Sequence, residues 1–116
     1  MMSSQQLGQY GEHIAAAWFI KQGHHVLFPR SSSHVGYDFI AEKDSVSERI
    51  QVKTGGGYRN FYPRVTCKFD LAKFDKLMVI HVDGFARLYP AAKSVCDVLF
   101  VAESSGDTHE YTIKLW

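Results

Sequence analysis

The sequence predicts an α/β fold, a mixed central β-sheet flanked by α-helices. Three observations carry it. Leu7, Tyr10, Ile14, Ala17 and Trp18 recur at helical spacing and build an apolar stripe. Tyr37 to Ala41 and Arg49 to Thr54 read as two strands about the polar turn Lys43 to Ser47, which is a hairpin pattern. Leu77-Met78-Val79-Ile80 reads as a buried strand, and Gly84 turns it into Phe85 to Tyr89. The 116 residues suffice for one compact domain with a core of its own, so residues 1–116 are expected to form a single unit.

The elements follow in order. The first helix is expected to start near residue 5 and stop around Gly23, a residue suited to the left-handed position after a helix. His25 to Phe28 favours a short strand that Pro29 closes, and 29–36, with three consecutive serines, reads as a loop before the hairpin. Gly55-Gly56-Gly57 is expected to end the second hairpin strand, with a further strand over Val65 to Phe69. Phe74 begins a short helical turn ahead of the Leu77 to Ile80 strand. Pro90 and the Ala91 to Phe100 segment fit a second helix started by proline, and Glu110 to Leu115 fits a last edge strand.

Charge and composition narrow the function classes. Thirteen basic residues against twelve acidic ones give a net charge of only +1, so any nucleic-acid surface must be local. No apolar stretch is long enough to cross a bilayer, and Met1 to Gln6 lacks the charged start and apolar run of a signal peptide, so a cytoplasmic protein without a membrane role is expected. Cys67 and Cys96 stand apart without Cys-x-x-Cys spacing and read as two buried free thiols.

The chemistry-bearing residues lie on the hairpin. Side chains alternate across a strand, so Gln51 and Lys53 share one face while Ile50 and Val52 occupy the other. A hairpin would bring the Asp38 carboxylate beside that amide and ammonium, completing a small site for a divalent cation and a phosphate. A plain cross-strand ion pair between Asp38 and Lys53 fits the same pattern. On the first helix, Glu12 falls off the apolar stripe and shares a face with Ala15, Ala16 and Phe19. Such a glutamate is paired with a cation, protonated, or at a helix edge that reaches water; an ordinary exposed glutamate is the plainer alternative. Gly8 and Gly11 each cost a helix about 1 kcal/mol relative to alanine, which suggests that this helix presses against the sheet and lets Glu12 reach Lys53.

Gly8-x-x-Gly11-Glu12 on a first helix, followed by Asp38 and Gln51-x-Lys53 on consecutive strands, resembles the PD-(D/E)XK nuclease superfamily over about Leu7 to Tyr89. More narrowly it is similar to Holliday junction resolvases and to group I intron-associated homing endonucleases, which also carry Gln in place of the second acid. Tyr37 stands where the motif has its proline. The resemblance implies a restriction-endonuclease-like core and a metal-dependent DNA endonuclease, homing-type or junction-resolving, that leaves a 5′-phosphate and a 3′-hydroxyl. Catalytic roles then fall on Glu12, Asp38, Gln51 and Lys53, with Asp38, the Gln51 side-chain oxygen and the Val52 carbonyl holding Mg²⁺ or Mn²⁺. Gln51 is neutral, so the alternative is a catalytically inactive nucleic-acid-binding module of the same fold.

DNA contacts are expected from the glycine loop with Tyr58, Arg59, Asn60, Tyr62 and Arg64, where basic and aromatic residues alternate, and from Arg30 and Ser32 across from it. A hairpin loop whose aromatics fold back on the core is the competing picture. The six histidines show no metal-site spacing and read as incidental. Cutting two strands takes two sites, so a homodimer or larger symmetric assembly is expected.

Overall fold

The computed structural model describes residues 1–30, 35–59, 62–66, 73–91, 98–100 and 112–115, with 57–59, 62–66, 98–100 and 112 given as backbone. Helix α1 spans Ser4–Lys21. Ser3 caps it: its hydroxyl accepts from the Gln6 N–H at 3.1 Å, and the Gln6 amide oxygen accepts from the Ser3 N–H at 2.9 Å. At the other end His24 N–H reaches the Phe19 carbonyl and Gly23 N–H the Ile20 carbonyl, the paired bonds of a glycine-terminated helix. Gly23 supplies the left-handed backbone, at φ 94°, that this ending requires.

Strands β1 (His25–Leu27), β2 (Phe39–Lys43), β3 (Val46–Gly55), β6 (Lys76–His81), β7 (Phe85–Pro90) and β9 (Thr112–Lys114) form a six-stranded sheet in the order β1-β2-β3-β6-β7-β9. The β3–β6 pair is parallel and the other pairs are antiparallel, so the sheet is mixed as expected. The β2–β3 hairpin is tighter than the predicted turn. Lys43 pairs with Val46, and Asp44 and Ser45 both take positive φ, the two-residue turn whose twist matches that of its strands. Strands β4 (Gly57–Arg59), β5 (Tyr62–Thr66) and β8 (Val98–Phe100) form a separate three-stranded sheet that begins two residues after β3 ends.

Two expectations are corrected. Val98–Phe100 is a strand paired antiparallel with β5, where a proline-started helix was expected over Ala91 to Phe100. The β-branched and aromatic residues at the end of that segment favour pairing once an open strand edge is available; its positions 92–97 lie outside the described residues. The second correction concerns the face that α1 buries. Gly11, Ala15, Ala16 and Phe19 are buried against the sheet, whereas Tyr10 is 46 % exposed and Ile14 and Trp18 only flank the core. Small side chains let the helix axis come close to β3, and Phe19 then packs edge-on against Phe39 at 5.6 Å between ring centres. Ala41, Ile50, Val52, Met78, Ile80 and Ala86 complete this core, while Phe74, Leu77 and Val79 form a smaller cluster on the other side of the sheet.

Candidate active site

Pairing fixes where chemistry can occur. Strand β2 pairs with β3 only as far as Phe39 opposite Ile50, while β3 continues beside β6 from Ile50 to Gly55. From Gln51 onward the β2-side edge of β3 therefore has no strand from this hairpin, and a notch opens. Asp38 stands at its corner, just before β2. Its N–H donates to the Ile50 carbonyl at 2.8 Å, and its Oδ2 accepts the Val52 N–H at 2.6 Å. The carboxylate thus takes the place of the missing strand, which explains why a charged group is 92 % buried here. The N–H and C=O of one strand residue point to the same edge, so the Val52 carbonyl also faces the notch. The Gln51 amide lies over that carbonyl, with Nε2 3.5 Å from the oxygen.

Glu12 enters from the helix side. It sits half-buried beside Gly11, and its carboxyl hydrogen-bonds to Asp38. Burial is the largest influence on it; the Asp38 charge and their hydrogen bond act in the same direction, and Lys53 opposes them weakly, so that its pKa is pushed up to about 7. Burial also raises Asp38, although the Val52 N–H, the Glu12 hydrogen bond and the Lys53 charge each pull it back. As pH falls through about 7, Glu12 takes up a proton that its hydrogen bond shares with Asp38. Lys53 is half-buried and, among the described residues, makes no direct ion pair with Asp38, so the cross-strand salt bridge does not describe this hairpin.

A divalent cation fits this donor set. Two carboxylates, an amide oxygen and a strand carbonyl are all hard oxygen donors, and two facing carboxylates favour a shared positive charge. Among the described residues no cluster of three or more Asp, Glu, His or Cys side chains occurs, so the neutral oxygens of Gln51 and Val52 would have to complete the shell.

Other expected positions fall differently. Gly11 makes a close approach to β3, but Gly8 faces open space, so only one of the two glycines has that reason. Arg30 is exposed, and Ser32, Asn60, Cys67, Cys96, His34 and His109 lie outside the described residues. Tyr58 and Arg59 stand on β4 and Arg64 on β5, so the predicted loop is in its backbone a paired hairpin, with Arg59 opposite Tyr62 and Gly57 opposite Arg64. Thr54, which meets Gly11, was missed by sequence reasoning. A glycine one residue before the helix acid was the available signal. Buried Arg87 and His81 were also missed; His81 Nδ1 accepts the Asp83 N–H at 3.1 Å and shapes the turn after β6.

The carboxyl pair makes a stability prediction. Glu12 titrates at about 7 in the fold against an ordinary value of 4.5, so its contribution is fully present below pH 4.5 and is lost as pH rises through 7. Metal-free protein is expected to melt at falling temperature over that window, and Glu12→Gln, which keeps the hydrogen bond without the charge, should flatten the trend. Melts in chelator from pH 4.5 to 8 read it; equal slopes for both proteins would deny that the pair carries the cost.

No curated protein matches the chain by sequence. Among solved structures, the chain is similar to a bacterial homing endonuclease, I-Ssp6803I, at a TM-score of 0.79 and 15 % identity, covering 96 % of this chain and 89 % of that one. This likeness establishes the fold, a curled mixed sheet with a helix, and hence the α/β class. The family described as PD-(D/E)XK endonuclease matches residues 2–83, a span that contains the helix acid, Asp38 and the Gln51-x-Lys53 strand. The chain belongs to the PD-(D/E)XK endonuclease family.

Proposed function

We propose that residues 1–116 form one nuclease domain that hydrolyses DNA phosphodiester bonds with Mg²⁺ or Mn²⁺. The observation that carries this reading is the notch beside β3, where Glu12 and Asp38 meet within reach of the Lys53 charge. Asp38, the Gln51 side-chain oxygen and the Val52 carbonyl would hold the cation, which would supply Lewis-acid charge for phosphodiester hydrolysis. Asp38 is kept in place by its bond from Val52 N–H, so its oxygen is oriented before any ligand arrives. Lys53 orients the attacking water and offsets the charge that grows on the phosphorus centre. Glu12 positions Lys53 or a second ion, and the products carry a 5′-phosphate and a 3′-hydroxyl.

The substrate is a homing-type site or a branched junction. A chain of this size leaves little surface for long base readout, which favours short-site or structure-specific cutting. A cytoplasmic homodimer or larger symmetric assembly would bring two sites to two strands, and the apolar outer flank of α1, with Tyr10 and Trp18 beside Leu115, offers a surface for it. The deciding experiment is a nicking assay on plasmid, branched and single-stranded DNA with Mg²⁺, Mn²⁺ or chelator. Metal-dependent nicks with 5′-phosphate ends are expected. Binding without cleavage under every condition would favour the inactive module, the reading that neutral Gln51 keeps open.

The β4–β5 hairpin is the proposed DNA arm. Register puts positions 59, 62 and 64 on one of its faces. Replacing Arg59 and Arg64 by alanine should weaken binding and make the dependence of log affinity on log salt shallower by about one unit per lost phosphate contact. An unaltered salt slope in the double mutant would place the DNA elsewhere.

A further inference from the structure

A close approach between α1 and β3 lies one residue from the candidate site on both elements. Gly11 is buried and precedes Glu12; Thr54 follows Lys53. A Cβ built on Gly11 would overlap the Thr54 hydroxyl oxygen and stand 2.8 Å from Thr54 Cβ and 3.0 Å from its Cγ2. The same construction on Gly8, one turn earlier, meets nothing within 4 Å. Contact at Gly11 is therefore specific, and any larger residue there must lift the helix or push β3. Thr54 Oγ1 is also a buried polar atom without a hydrogen-bond partner among the described residues. It is turned toward the Gly11 backbone, where only a weak C–H···O contact is available. A valine would fill that space with no buried hydroxyl, so the threonine is not what packing alone would select.

We propose that the Gly11–Thr54 contact sets the height of α1 over β3 and so holds Glu12 against Asp38, making Gly11 and Thr54 positioning residues of the metal site. This rests on the reading of that notch as a metal centre. The lever is short. Glu12 is bonded to Gly11, and the next core residues of the helix, Ala15 and Ala16, are small enough to follow any shift of the axis without a large side chain to resist it.

The test uses the full chain with Gly11→Ala, Thr54→Ala, the pair Gly11→Ala/Thr54→Gly, and Gly8→Ala as a control for helix propensity. Calorimetry with MgCl₂ on metal-free protein should show Gly11→Ala weakened by about tenfold or more, the size typical when a supporting contact of a metal ligand is lost. Crystal structures of the metal-free proteins should show α1 displaced from β3 and the Glu12–Asp38 hydrogen bond broken. The pair restores both, because removing the Thr54 side chain gives the new Cβ its room. Gly8→Ala should leave the affinity unchanged and raise the melting temperature. Folded Gly11→Ala with wild-type affinity and an intact Glu12–Asp38 bond would overturn the proposal, as would a folded pair that stays weak. Thr54→Ala only removes atoms, so it decides the matter if Gly11→Ala does not fold: lowered affinity supports the positioning role, and unchanged affinity refutes it. If wild type binds no divalent cation, the metal reading fails by itself. The crystal comparison then still supports the positioning contact if Gly11→Ala breaks the Glu12–Asp38 bond, and overturns it if the bond persists.

Discussion

Asp38→Asn is expected to lower cleavage by on the order of 10³-fold or more while the protein stays folded, because about 4 kcal/mol of transition-state stabilisation goes with the charge that anchors the metal. The amide keeps an oxygen where Asp38 Oδ2 accepts the Val52 N–H at 2.6 Å, so the corner of the notch survives and only the charge is lost. Asp38→Ala should abolish cleavage too, but it also strips a buried N–H of its acceptor, at a cost of about 1 to 3 kcal/mol in stability. Comparing the two separates chemistry from fold. Lys53→Ala is expected to lose activity with little change in melting temperature, since its half-buried ammonium makes no direct ion pair with Asp38. Initial rates at saturating Mg²⁺, with melts alongside, give the answer; turnover near wild type in folded Asp38→Asn would remove this residue from the site.

What made the candidate site readable in sequence was strand alternation. Asp38 stands just before β2, and Gln51 and Lys53 on β3, in a hairpin whose pairing is local, so the hairpin pattern alone brought them near one another, and the observed hairpin differs from the expected one mainly in a tighter turn. The helix was harder. Its large apolar residues, Tyr10, Ile14 and Trp18, weigh most in any hydrophobic stripe, yet the sheet takes the face of Gly11, Ala15, Ala16 and Phe19 because closeness to β3 is worth more than side-chain bulk there. Hydrophobicity per residue does not record that trade. The signal lay instead in Glu12, whose placement among small residues is accounted for once that face meets the sheet. Longer-range features were not legible: the parallel pairing of β3 with β6 and the strand at Val98–Phe100 depend on which edges are open, a property of the assembled sheet and not of either segment. The notch itself is of this kind, since it exists because β2 stops pairing at Ile50 while β6 does not.

Gln51 is the position where this chain departs from its family's usual acid, and its substitutions should separate two readings by large effects. Gln51→Glu keeps one side-chain oxygen and adds a charge, at the loss of the Nε2 group that points at the Val52 carbonyl; two unit charges 4 Å apart interact by about 4 kcal/mol at an effective dielectric of 20, so a rise of about tenfold in apparent Mg²⁺ affinity is a modest expectation. That charge would join two carboxyls of the candidate site whose pKa values already stand above their ordinary range. A third carboxylate raises them further, so the metal-free Glu form should lose more stability than wild type as pH climbs through 7 and regain more on adding Mg²⁺. Gln51→Leu, of similar size but without a donor oxygen, should lose both metal-dependent stabilisation and cleavage. Thermal melts across a Mg²⁺ titration, with nicking rates on the same samples, test the three proteins together. Equal metal dependence in all three would exclude coordination at this position. A wild type that neither binds metal nor cuts, beside a Glu form that does both, would identify the chain as an endonuclease fold that gave up its metal at a single residue.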